Sequence, residues 1–182
     1  MAISHFSEDP SIAVFRPHVA KTSAIQDEAF VWAIDDWHSP MYYVPRDCPR
    51  ACFWAGSKTT PEDREQWLNH LAPRFVMVVE SVWLERIRSV QIYRYTMPET
   101  SFSAAAHGGG HYVSRETVKP LRVEPVGDLL AAIVNAGVEL RITPRLGPLW
   151  KAIRSGSTLD YSGTRLRNAA GYPAEFGVSE EA

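Results

Sequence analysis

The chain has 182 residues, enough for one domain with a sizeable core. Hydrophobic residues make up 45% and charged residues 22%, an ordinary globular balance that excludes a disordered or low-complexity chain. The formal net charge of -2 gives no overall basic footprint, so nucleic acid is not an expected partner.

The basic residues are 15 Arg and 4 Lys. Arginine suits planar, bidentate contacts to carboxylate or phosphate, although genomic base composition accounts for such a bias equally well. The first ten residues carry no basic segment followed by a long apolar one, so no signal peptide is expected. The apolar runs, such as residues 75–79 and 129–134, are far short of a membrane span. Cys48 and Cys52 fit reduced thiols, and the expected compartment is the cytoplasm.

In chain order, residues 2–6 read as a strand and 8–15 as a short helical or turn segment. Residues 30–34 form a second apolar strand, 37–44 a helix stopped by Pro45, and 50–54 a third strand. Thr60-Pro61-Glu62-Asp63 is a helix start, with threonine as cap, proline at the first helical position and acids in the first turn. That helix is expected to reach about His70. Residues 74–80 read as a buried strand, 82–88 as helical, and 90–96 as a strand with Gln91, Tyr93 and Tyr95 on one face. A loop rich in alanine, glycine and serine covers 101–110, and strands follow at 112–114 and 118–124.

The clearest helix covers 126–136 and is closed by Gly137, which favours left-handed geometry. A short strand at 138–142 and a helix at 146–153 complete the pattern, and 171–182 is expected to be a flexible tail. With no repeat and no linker, the expectation is a single α+β domain over residues 1–170, with a mixed, split sheet and short helices.

Three segments concentrate the residues able to do chemistry. The first is His5-Phe6-Ser7 at a strand end. The second is Val31-Trp32-Ala33 with Tyr42 and Tyr43 eleven residues beyond Val31 and Trp32. The third is His111-Tyr112-Val113-Ser114-Arg115-Glu116. Cleavage of NAD between nicotinamide and ribose needs a group to hold the ribose hydroxyls, an aromatic wall for the cationic ring, and a carboxylate for the oxocarbenium-like sugar. Each residue also has a structural reading. His5 fits a satisfied polar strand end, Trp32 a core side chain, Tyr42 and Tyr43 half-buried helix residues, His111 a loop residue, and Glu116 a solvated acid.

Other motifs fail. His107-Gly108-Gly109-Gly110 looks like the oxyanion loop of lipases, but no Gly-x-Ser-x-Gly elbow exists. Cys48 and Cys52 with His38 sketch a metal site, yet no second ligand pair is present, so no metal is expected. There is no Gly-x-Gly-x-x-Gly motif and no phosphate-binding loop with lysine.

The order and spacing of the three segments resemble the motifs of the ADP-ribosyltransferase fold, in the poly(ADP-ribose) polymerase branch. His111 stands where that family has glutamate, and residues 111–123 are similar to the corresponding stretch of the rifampin ADP-ribosyltransferases. The resemblance implies an ADP-ribosyltransferase-like sheet and an enzyme performing NAD-dependent ADP-ribosyl transfer or NAD glycohydrolysis. His5, His111 and Glu116 would be catalytic; Ser7, Trp32, Tyr42, Tyr43, Arg46 and Arg50 would bind the nucleotide. NAD would be the substrate and a small-molecule nucleotide the partner. These roles require His5, Trp32, one of the tyrosines and His111 to converge on one cleft, with Arg46 and Arg50 at its border. RNA 2'-phosphotransferases share the fold without the glutamate, and a catalytically inactive nucleotide- or protein-binding domain is the third reading. Over nearly its whole length the chain also resembles an uncharacterised bacterial family, through the segment His5 to Ile12 and Pro45-Arg46-Asp47-Cys48-Pro49-Arg50.

Overall fold

The computed structural model describes residues 2–19, 28–68, 73–106 and 108–176. The strands in chain order are β1 (Ile3–Ser7), β2 (His18–Val19), β3 (Ala29–Asp35), β4 (Arg50–Trp54), β5 (Val76–Glu80), β6 (Tyr93–Met97), β7 (Ser103–Ala104), β8 (His111–Ser114), β9 (Arg122–Pro125), β10 (Glu139–Thr143) and β11 (Asp160–Thr164). The α-helices are short: α1 (Pro61–Leu68), α2 (Leu84–Ser89), α3 (Leu129–Asn135) and α4 (Gly147–Gly156). The architecture is α+β, as expected. It is arranged as two compact units, one of Met1–Tyr43 with Val90–Gly127, the other of Val44–Ser89 with Asp128–Ala182.

The first unit is built on an antiparallel sheet of order β7-β8-β3-β1-β6-β9, with β2 also on β3. Side chains alternate across a strand, so the register assigns each to a face. One face carries Ile3, Val31, Ala33, Tyr95 and Met97, buried with Phe15 and Val118. The opposite face carries Phe30, Trp32 and Val113, which pack with Ala105. Residues 8–15 contain no helix. Asp9 takes the Ser11 N–H at 2.8 Å in a side-chain turn. The Tyr95 hydroxyl pins the segment, donating to the Asp9 carbonyl at 2.6 Å and accepting from Ile12 N–H at 3.2 Å. The helix expected at 37–44 is one 3-10 turn, Ser39–Tyr42, because Pro40 cannot donate and Asp35 captures the His38 N–H at 2.7 Å.

The second unit holds a mixed sheet of order β10-β5-β4-β11, in which only the β10–β5 pair is parallel. The run Val-Met-Val-Val-Glu of β5 is buried at every position, as a central strand covered on both faces must be. The helix start at Thr60 is as expected: its hydroxyl accepts the Asp63 N–H at 3.2 Å and Pro61 opens α1. The expected end near His70 lies outside the described residues. α3 begins later than expected, at Leu129, because Asp128 caps it by accepting the Ala131 N–H at 3.0 Å, and Gly127 before it adopts φ +86°. α4 buries Trp150 and Ile153, one turn apart, against β4 and β5 residues including Phe53, Val76 and Val78.

β11 had no sequence expectation, since Asp-Tyr-Ser-Gly-Thr is polar and contains glycine. Its glycine is required there. A Cβ on Gly163 would stand 2.5 Å from the Trp150 ring. The expected tail begins at 171, yet Ala174–Phe176 forms a 3-10 turn with Phe176 buried; residues 177–182 lie outside the described residues. No helix among the described residues is long and apolar enough to cross a membrane.

Candidate functional site

The first unit brings together part of the predicted constellation. His111 opens β8 opposite Ile34 of β3, which sets it on the Trp32 face. The Trp32 and His111 rings meet edge-on with centroids 6.1 Å apart. Tyr42, on the 3-10 turn, has its hydroxyl 2.8 Å from His111 Nε2. His111 Nδ1 lies 3.3 Å from the Gly108 carbonyl, which can only accept, so the ring donates at Nδ1 and meets the Tyr42 hydroxyl at Nε2. Phe6 stacks nearly parallel on Tyr42 at 6.2 Å and meets Tyr43 edge-on at 5.4 Å. The Arg94 guanidinium lies 5.6 Å from the Phe6 ring centre and 5.7 Å from that of Tyr43, and donates to the Tyr43 hydroxyl. Trp32, Tyr42, His111, Phe6 and Arg94 are all half-buried, whereas Tyr43 is buried.

His5 is not part of this group. It pairs with Tyr95 in the β1–β6 register, and its ring lies 4.8 Å from Phe15, on the face opposite Trp32 and His111. Its Nδ1 donates to the Trp32 carbonyl at 2.9 Å. The convergence expected of His5 and His111 is therefore corrected: strand alternation divides them between two faces. Ser7 shares the His5 face, opposite Tyr93, and its hydroxyl oxygen accepts the Asp9 N–H at 3.1 Å. Glu116 is exposed beyond the end of β8.

Arg46 and Arg50 belong to the second unit. Arg46 is exposed, while Arg50 is only 2% exposed and donates to the Cys48 carbonyl at 3.1 Å. Arg50 is thus a core cation rather than a rim residue. Cys48 and Cys52 are both buried, and desolvation pushes each thiol up to about 12, against a smaller opposing effect of Arg50. Among the described residues no group of three or more His, Cys, Asp or Glu side chains could hold a metal.

Sequence reasoning missed the Asp35–His38 pair. His38 Nδ1 donates to both Asp35 oxygens, at 2.8 and 3.0 Å, which fixes the ring. Gly110 packs directly over the pair. A Cβ there would stand 2.0 Å from His38 Nδ1 and 2.7 Å from an Asp35 oxygen. The Asp-x-x-His spacing at a strand end, with a glycine run before the next motif, was the available signal. Arg94 and Phe6 carried none, since only the β1–β6 register pairs them. Two concave regions lie elsewhere, one of about 460 Å³ between residues 10–13 and 120–123, another of about 650 Å³ at Thr59, Pro61, Arg64 and Glu65.

No curated protein and no solved structure matches the chain. A model of the family of unknown function DUF6886 matches residues 4–169, nearly the whole of this sequence, and the chain belongs to that family.

Proposed function

We propose that the chain is a nucleotide-binding protein whose first unit receives a planar cationic or heteroaromatic ring, nicotinamide or a base, against Trp32 and Tyr42. The observation that supports this reading is the meeting of Trp32, Tyr42 and His111 on one sheet face, half-buried and joined by the Tyr42–His111 hydrogen bond. Rings with polar tips at a partly open surface suit a ligand that is apolar on its faces and polar at its edge. Arg94, stacked on Phe6 and Tyr43, adds a positive charge beside that face.

Binding is favoured over ADP-ribosyl transfer or NAD hydrolysis. Cleavage needs a ribose-fixing group and a carboxylate in the same cleft as the ring. Here His5 occupies the other face and Glu116 lies beyond the strand end.

A ligand-observed NMR titration with NAD, ADP-ribose and nicotinamide tests the reading. NAD and nicotinamide are expected to bind, and Trp32→Ala to weaken both by roughly 1–3 kcal/mol, the scale of one ring stacked on one aromatic side chain. Absence of binding by all three ligands, or binding that survives Trp32→Ala and His111→Ala unchanged, would refute it.

A further inference from the structure

Arg94 sits on the Trp32 face of the first unit, because its strand neighbour Tyr95 is buried on the other. Its half-buried guanidinium lies against the Phe6 and Tyr43 rings, 5.6 and 5.7 Å from their centres. A buried chain of hydroxyls fixes it there. The Ser39 hydroxyl donates its one hydrogen to the Asp36 carbonyl at 3.1 Å, so it accepts from the Tyr43 hydroxyl at 3.3 Å. The Tyr43 oxygen, its own hydrogen spent, accepts from Arg94. Ser39 and Tyr43 are only 2% and 5% exposed, so the chain is shielded from water.

This arrangement holds a cation in place without balancing its charge. Arg94 forms no ion pair with an acid among the described residues. Glu124, its neighbour across the β6–β9 ladder, is committed to Arg122 at 2.5 Å. The Tyr43 phenol accounts for one of the guanidinium donors. No Arg94 nitrogen is buried without a partner, so the remaining donors reach solvent. A guanidinium held against rings has given up its rotamer freedom before a ligand arrives, which lowers the entropic cost of binding an anion.

Trp32 and Arg94 stand on β3 and β6, two steps apart in the order β3-β1-β6 and so about 10 Å apart at the usual strand spacing. A ribose imposes a separation of that order between its ring and a 5'-phosphate. One guanidinium suits one phosphate, and the Glu124 carboxylate on the next strand disfavours a second. We propose, resting on the nucleotide reading above, that Arg94 is the phosphate-binding residue of the aromatic site and that the ligand is a nucleoside 5'-monophosphate.

Isothermal titration of the full chain at fixed low ionic strength tests this with two matched pairs, nicotinamide riboside and its mononucleotide, adenosine and AMP. In at least one pair the mononucleotide is expected to bind roughly tenfold more tightly than its nucleoside, the scale of a charge-assisted hydrogen bond. Arg94→Gln is expected to erase this ratio, whereas Trp32→Ala is expected to weaken both members alike and keep it. In the wild-type protein, the NMR signal of the Arg94 Nε–H is expected to shift with the mononucleotide and to stay with the nucleoside. That measurement keeps the test if Arg94→Gln does not fold. Nucleosides that bind through Trp32 with no gain from the phosphate would overturn this proposal and leave the ring reading standing. A phosphate gain tied to Arg94, with affinities untouched by Trp32→Ala, would do the reverse. No binding by any of the four ligands, or a ratio that survives in folded Arg94→Gln, would also overturn it.

Discussion

The Tyr42 hydroxyl meets His111 Nε2 at 2.8 Å across 69 residues of chain, tying the 3-10 turn after β3 to the first residue of β8. The bond closes a relay from a phenol through an imidazole to the Gly108 carbonyl, 3.3 Å from Nδ1. Tyr42→Phe keeps the ring stacked on Phe6 and deletes only the hydroxyl. It is expected to cost about 0.5–1.5 kcal/mol, the net value of one hydrogen bond, measured by urea denaturation. A loss indistinguishable from zero would mean that water replaces the hydroxyl and that the relay adds nothing to the fold.

Gly109 and Gly110 separate two costs that usually come together. Both have positive φ, +66° and +74°, so alanine strains the backbone at either position. At Gly109 the nearest atom to an added Cβ is 3.4 Å away, in His111. At Gly110 the Cβ would fall on His38 Nδ1 and Asp35. Gly109→Ala is expected to cost about 1 kcal/mol and to leave the Asp35–His38 pair intact. Gly110→Ala is expected to cost clearly more and to shift the His38 ring resonances in NMR spectra. Equal effects of the two would show that the loop moves as a whole to admit the methyl group.

The two cysteines give the fold an alkaline limit. Their thiols rise from an ordinary 9.0 to about 12, chiefly through burial. Between these values the unfolded chain sheds thiol protons that the folded chain holds. Their contribution to stability is therefore complete below pH 9 and is lost as the pH climbs toward 12. Native protein is expected to resist iodoacetamide at pH 8 and to react at both cysteines once unfolded, which mass spectrometry reads directly. Rapid labelling of either thiol in the folded state would contradict their burial.

Acid acts through Asp63. Its carboxylate accepts from the Thr158 hydroxyl at 2.5 Å and from the Thr158 N–H at 2.6 Å, and these bonds hold its pKa below the ordinary value. A depressed carboxyl stabilises the fold above its unfolded pKa, and that stability disappears as the pH falls through the folded value. Asp63→Asn is expected to flatten the acid limb of a melting-temperature profile while changing the alkaline limb little. An unchanged acid limb would mean that the Thr158 segment stays docked without the charge.

Local patterns were enough for much of the framework. β4 and the start of α1 stood in the sequence with their bounds, because the apolar run at 50–54 and the Thr60-Pro61 cap act within a few residues. The same reasoning located β5, whose unbroken apolar run needs burial on both faces. It failed at β11, whose polar residues become a strand only because β4 offers an edge and Trp150 needs the space above Gly163. It also failed in the helix expected at 37–44, where the Asp35 side chain competed for the backbone N–H of His38.

For the site, the sequence by itself selected the side chains. Trp32, Tyr42 and His111 were read from motif order, and the structure brings these three together. Which of the remaining residues joined them was decided by register. With a side-chain period of two, His5 and Phe6 point to opposite faces although they are neighbours in sequence, so the histidine leaves the cluster and the phenylalanine enters it. Arg94 arrives only because β6 pairs with β1 at that step. Composition and local spacing determine which groups the chain possesses. Long-range strand pairing, set by the burial of whole faces, determines which of them meet.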